Sequence, residues 1–154
     1  MATIRLDAEE KIPLNTQEYL SFRVGRETFA LPVVDAREIE KPIPFTLVPN
    51  VDDFVEGVFN LRGKIIPLMD LGKRLTLGPK KITSESRIVI AESGHRLVGM
   101  VVDAVLGVIS INMDDLNPAP EVVQAKIAGD FITAVSQLDK NLIILLDIKK
   151  LLEE

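Results

Sequence analysis

The chain repeats itself. Laid over one another with a shift of 77 positions, Phe54–Leu71 (FVEGVFNLRGKIIPLMDL) and Phe131–Ile148 (FITAVSQLDKNLIILLDI) align without a gap. Six of the eighteen positions are identical: Phe54/Phe131, Val58/Val135, Leu61/Leu138, Ile66/Ile143, Leu68/Leu145 and Asp70/Asp147. Most of the others exchange one apolar residue for another. Upstream, Val33-Val34-Asp35-Ala36 matches Val101-Val102-Asp103-Ala104 at a shift of 68. Residue type and element order are kept together, so the fold is one unit made twice.

The unit reads as short strands. Leu20, Phe22 and Val24 alternate with Ser21 and Arg23, Gly25 turns the chain, and Phe29, Leu31 and Val33 resume the alternation. Asp35–Glu40 is polar around Ile39 and predicts a helical turn, closed by Pro42 and Pro44. Val58–Leu61 and Lys64–Met69 flank Arg62-Gly63 as a second hairpin, and Asp70 stands at the N-cap of a short helix, Leu71–Leu75. In the second half, strands are expected at Arg87–Ala91, Arg96–Val102 and Val105–Ile111, with a turn at Ser93-Gly94. A loop bearing Pro118 and Pro120 then leads to Phe131–Gln137, Leu142–Leu146 and a last helix, Ile148–Glu153. The unbroken apolar run Leu142–Leu146 predicts a strand buried on both faces.

Five short strands per unit is the scale of a small closed barrel, which leaves no exposed strand edge. The expected fold class is therefore all-β with short helices. Residues 1–17 read as a polar tail and residues 18–152 as one domain of two barrel subdomains. These cover about 18–78 and 87–152, linked near 79–86, where Gly78-Pro79-Lys80-Lys81 and Thr83-Ser84 interrupt the pattern.

Composition removes whole classes of function. With no Cys, thiolate chemistry, disulfides and Cys-ligated metals are excluded. His95, the sole histidine, sits beside a turn, and the acidic pairs Asp52-Asp53 and Asp114-Asp115 suit turns better than a cation. No phosphate-cradling glycine motif or nucleophile elbow occurs, so neither an enzyme nor a metal or cofactor site is expected. A small-barrel nucleic-acid binder would want interleaved basic and aromatic residues. A net charge of −5 with one Tyr and no Trp speaks against it. No apolar run reaches the roughly 20 residues of a membrane span, and the first residues carry no apolar signal stretch. The expectation is a cytoplasmic protein with no membrane insertion.

The repeat also separates scaffold from surface. Asp70 and Asp147 occur in both copies and read as helix caps. Arg62-Gly63 becomes Asp139-Lys140 in the second copy, so the scaffold does not require a guanidinium there and Arg62 is available to a partner.

These residues carry a resemblance. The first hairpin at Tyr19–Val33, Ala36-Arg37-Glu38-Ile39, Val48-Pro49, and Gly57-Val58-Phe59-Asn60-Leu61-Arg62-Gly63 with Ile66-Pro67-Leu68-Met69-Asp70-Leu71 closely resemble the CheW domain. Val102-Asp103-Ala104-Val105 and Leu145-Leu146-Asp147 continue the likeness, which spans about residues 18–152. The resemblance implies two five-stranded SH3-like barrels packed through a shared apolar seam. It implies an adaptor between the cytoplasmic tips of chemoreceptors (methyl-accepting chemotaxis proteins) and the regulatory domain of the histidine kinase CheA, recruited to receptor arrays. A related adaptor of a pilus-motility or other chemosensory pathway is the near alternative. The partner-binding positions it implies are Glu38, Ile39, Gly57, Arg62, Gly63, Val102 and Val105, with no cofactor.

Overall fold

The computed structural model describes residues 15–78, 81–127, 129–138 and 140–153. Most of the expected tail, and Pro79, Lys80 and Asp139 of the expected linker and second turn, lie outside the described residues. Among these residues ten strands form: β1 (Thr16–Val24), β2 (Glu27–Pro32), β3 (Ala36–Glu40), β4 (Val55–Leu61), β5 (Lys64–Asp70), β6 (Arg87–Ser93), β7 (Arg96–Val102), β8 (Ala104–Asn112), β9 (Ile132–Leu138) and β10 (Asn141–Leu146). Among the described residues three short α-helices join them: α1 (Leu71–Arg74), α2 (Glu121–Lys126) and α3 (Ile148–Leu151). Thr16 and Gln17 belong to β1, not to a tail.

The strands make two five-stranded sheets, ordered β8-β1-β2-β10-β9 and β3-β6-β7-β5-β4. Exchange β1 with β6, β2 with β7, and so on to β5 with β10, and one order becomes the other. The duplication is thus written into the topology. Its details repeat as well. Asp70 N–H donates to Phe54 O at 2.8 Å, and Asp147 N–H to Phe131 O at 2.9 Å. The bridge Thr46–Val58 brings the β3–β4 connection onto β4, and Asn117–Val135 does the same for β9. Both aspartates cap as the repeat predicts: Asp70 accepts from Lys73 N–H, and Asp147 from Lys149 and Lys150 N–H.

The division at residues 79–86 is corrected. Each half lends its first hairpin to the other sheet: β1 and β2 pair with β8 and β10, while β6 and β7 pair with β3 and β5. Distance forces this. Inside a self-contained half, β3 would run antiparallel to β1 and so parallel to β2. The chain leaving β2 would have to return along a six-residue strand, roughly 20 Å, using Val33–Asp35. Three residues span at most about 11 Å. They form a 3-10 turn instead and carry the chain into the other sheet. Asp103 alone does the same between β7 and β8.

Ala36–Glu40 is a strand, not a helical turn, because β6 offers it an antiparallel edge. The Pro118–Pro120 stretch, expected as loop, runs on into α2, with Pro120 at its N-cap.

Three clusters make up the core. Ile66, Leu68, Phe59, Ile88, Ile90 and Val101 fill one barrel; Tyr19, Ala30, Ile111, Ile143 and Leu145 fill the other. The largest lies between them, where Phe22, Phe29, Met69, Met100, Val135, Ile144 and Leu146 meet. Successive residues of β10 therefore enter different cores, Ile143 and Leu145 inside the barrel and Ile144 and Leu146 in the seam. This is why Leu142–Leu146 has no polar alternation. Arg74 closes the seam. Its guanidinium lies 4.2 Å from the Phe54 ring centre and 4.5 Å from that of Phe131, the paired residues of the two copies. It also donates to the carbonyls of Leu151 and Glu153 at the end of α3, at 3.1 and 2.6 Å.

At the β2–β3 junction, burial pushes the Asp35 carboxyl above its usual value of 3.8, and the charge of Asp147 adds to the shift. The folded chain then holds this proton more tightly than the unfolded chain. Its contribution to stability is full below the ordinary carboxylate value and is lost as pH rises through the raised one. Asp35→Asn is expected to raise the melting temperature at neutral pH, with the gain vanishing in acid below the carboxylate range.

Strand exchange makes a sharper prediction. Residues 15–78 expressed alone should be unfolded by circular dichroism and NMR dispersion, because their hairpin and their remaining strands belong to different sheets. In the full chain, Ile144→Ala should cost about 2–5 kcal/mol and melt both barrels in one transition. Two separable transitions would contradict the shared core.

Candidate functional site

The β4–β5 hairpin turns through Arg62 and Gly63, which have φ of 48° and 88°. Two consecutive left-handed residues match the twist of the flanking strands. Gly63 meets that demand without a Cβ, and its N–H is held by Asn60 Oδ1 at 2.8 Å. Arg62 accepts the strained conformation, and its side chain stands 66% exposed.

The guanidinium is oriented by β3. One nitrogen, Nη2, donates to both carboxylate oxygens of Glu38 at 2.6 and 2.7 Å, and Nη1 lies 3.7 Å from Glu40. Glu38 and Glu40 are two apart on a strand and so face the same way. The hydrogen bond to Glu38 comes first in holding the Arg62 pKa above its usual value, followed by the charges of Glu38 and Glu40. Beside this cluster, Arg37 pairs with Glu92 across β3–β6 at 3.1 Å. Arg37, Glu38, Arg62 and Glu92 line, with Lys64, a cleft of about 300 Å³ that also takes in Leu61, Ile90 and Leu97. Ile39, on the opposite face of β3, is 43% exposed.

The structure thus brings Glu38, Ile39, Arg62 and Gly63 to one region. Gly57 has a different role. A Cβ there would lie 2.1 Å from Thr46 O, so glycine lets the β3–β4 connection lie against β4. The two bonds of that contact, Thr46 N–H to Val58 O and Val58 N–H to Thr46 O, measure 2.8 and 2.9 Å. Val102 is corrected: at 1% exposure it is part of the seam, where no partner reaches it. Val105, on β8 in the other sheet, is half-buried against the same core. The surface-facing apolar residues of β8 are Leu106 and Val108, 56% and 57% exposed.

Sequence reasoning missed Glu40, Leu106 and Val108. Strand alternation signals all three, but Asp35–Glu40 was expected to be helical, which hid the common face of Glu38 and Glu40. His95 sits exposed in the β6–β7 turn, and Asp114 and Asp115 form a 3-10 turn capped by Asn112. Among the described residues, no three His, Asp or Glu side chains come together as metal ligands. No described helix is long and apolar enough to cross a membrane.

Paired barrels that share one core and present a charged turn and exposed aliphatic side chains on edge strands define a protein-binding scaffold. Residues 18–154 match the CheW-like domain, and the chain belongs to that family. It is 34% identical over 136 residues to the chemotaxis protein CheW of Klebsiella aerogenes, covering 88% of this chain and 81% of that one. To the CheW of Thermotoga maritima it is 37% identical, covering 89% and 88%. In structure it is similar to the scaffolding protein TtCheW of Thermoanaerobacter tengcongensis, with a TM-score of 0.82 at 33% identity over 94% of this chain and 92% of that one.

Gly57→Ala tests the packing role directly. It is expected to cost about 3 kcal/mol, the upper range for forcing atoms into a filled site, and to lower the melting temperature by several degrees. An unchanged melt would show that Thr46 moves aside freely.

Proposed function

We propose that this protein is a non-catalytic adaptor that couples transmembrane chemoreceptors to the histidine kinase CheA in bacterial chemotaxis. It acts in the cytoplasm and joins membrane-associated receptor arrays by binding, without inserting into the bilayer. The observation that carries the reading is the Arg62 turn held by Glu38 and Glu40, within a chain similar to chemotaxis CheW proteins along nearly all its length.

The geometry supports a receptor contact in three ways. The ion pair fixes the guanidinium, so little side-chain freedom is lost when a partner docks. Its planar fork can bond a partner carboxylate or lie on an apolar surface. Ile39 supplies an exposed aliphatic neighbour on the same strand as Glu38, and Val105 belongs to the equivalent edge strand of the other sheet. Gly63 serves this surface from beneath, by closing the turn that presents Arg62. The CheA regulatory domain is the second partner, engaged at barrel surfaces away from this turn.

Arg62→Asp places a third carboxylate beside Glu38 and Glu40. The melting temperature is expected to stay within a few degrees, since the residue is exposed. Receptor binding should weaken by at least about tenfold, as for an interface anchor. Co-sedimentation with receptor-bearing membranes, with and without CheA, reads both partners in one experiment. Wild-type recovery of the variant with receptor would remove Arg62 from the interface. Failure of the wild type to bind chemotaxis receptors, with binding to receptors of another chemosensory pathway, would reassign the adaptor.

A further inference from the structure

The duplication makes each half a control for the other, and one groove breaks the symmetry. Between the bridged positions Thr46 and Val58 lie residues 47–57; between Asn117 and Val135 lie residues 118–134, a longer connection. The added length forms α2. Ile127, at its end, is buried in the shared core with Val123 packed behind it, and Lys126 pairs with Glu27 at 2.7 Å. The first half has no such segment.

In its place the first half has an open groove of about 570 Å³ between the 48–55 loop, the outer face of β4–β5 and the end of α3. Position by position, this groove is uncovered where its counterpart is covered. Pro67 is exposed whereas Ile144 is fully buried, Val58 is half-buried whereas Val135 is buried, and Leu152 is half-buried whereas Leu75 is fully buried. The parallel pairing Leu68–Gly99 corresponds to Leu145–Ala30, which sets Arg96 in the position held by Glu27. Charge is thus inverted at the point where α2 is anchored. Among the described residues Arg96 makes no ion pair.

We propose that this groove docks a short amphipathic segment of a partner protein in the pose α2 takes in the other half. The segment places an aliphatic side chain where Ile127 sits and a carboxylate, one residue earlier, on Arg96. A second apolar residue four positions before the anchor takes the part of Val123. Asp52 and Glu153 also line the groove and disfavour a more acidic segment. A second copy of this chain is a poor occupant, because its α2 would bring Lys126 to Arg96.

The probe comes from the chain itself. A labelled, end-blocked peptide of residues 118–127 and the same peptide with Lys126→Glu are titrated into the full-length protein by fluorescence anisotropy. Replacing a like charge with an opposite one at an exposed site should favour the Glu peptide by roughly tenfold. Arg96→Glu in the protein, an exposed substitution, should reverse the preference. Amide shift changes should cluster at Val51, Val58, Arg96 and Leu152. The proposal falls if neither peptide saturates by millimolar concentration, if the preference is threefold or less, or if Arg96→Glu leaves it unchanged. It also falls if the shifts map to β3 and β8, or if sedimentation shows a dimer that Arg96→Glu dissolves.

Discussion

Everything in this molecule follows from two connections that are too short. Val33–Asp35 and Asp103 cannot carry the chain back along a strand, so β3 and β8 cannot join the hairpins that precede them. Each hairpin must pair with strands of the other half. The joining pairs, β2 with β10 and β7 with β5, are parallel and link residues more than thirty apart in sequence. Neither barrel is complete without both halves of the chain, and the two fold as one body.

Burial then falls out of the topology. A strand in such a barrel has an inner face toward its own small core and an outer face toward the seam. Val, Ile and Leu at consecutive positions are the residues that satisfy both. Phe59 fills the first barrel by lying on Gly99, where a Cβ would come within 2.8 Å of the ring. The equivalent positions in the second barrel are Ser136 and Ala30, and Tyr19 supplies the missing volume there. Arg74 sits where the two copies meet and contacts one phenylalanine from each. Its counterpart in the second copy, position 151, holds leucine, so this contact is made once.

The two copies differ at the Arg62 turn and in the length of the connection that carries α2. A duplicated scaffold offers the same backbone twice, so any surface that must be unique has to come from side chains or from inserted length. The Arg62 turn uses the first route and α2 the second. Both leave the ladder intact, which is why the repeat still aligns through the β4–β5 hairpin without a gap.

The sequence by itself determined the unit. The shift of 77 marked the copied hairpins, both aspartate caps and the strand buried on two faces, because those depend on residue type at close spacing. It also marked Arg62 as a position where the two copies differ. It did not reveal which sheet each hairpin joins, since two barrels of one shape accept either hairpin and local pattern is blind to the choice. Reading Asp35–Glu40 as helical concealed the short connection that decides the matter, and with it the face shared by Glu38 and Glu40. Val102 sits in an apolar run that matches the family, yet only the packing of one barrel on the other buries it. Periodicity and capping are set within a few residues; strand exchange, the seam and the pairing of Arg62 with β3 require groups far apart in the chain to meet, and that the tertiary structure alone decides.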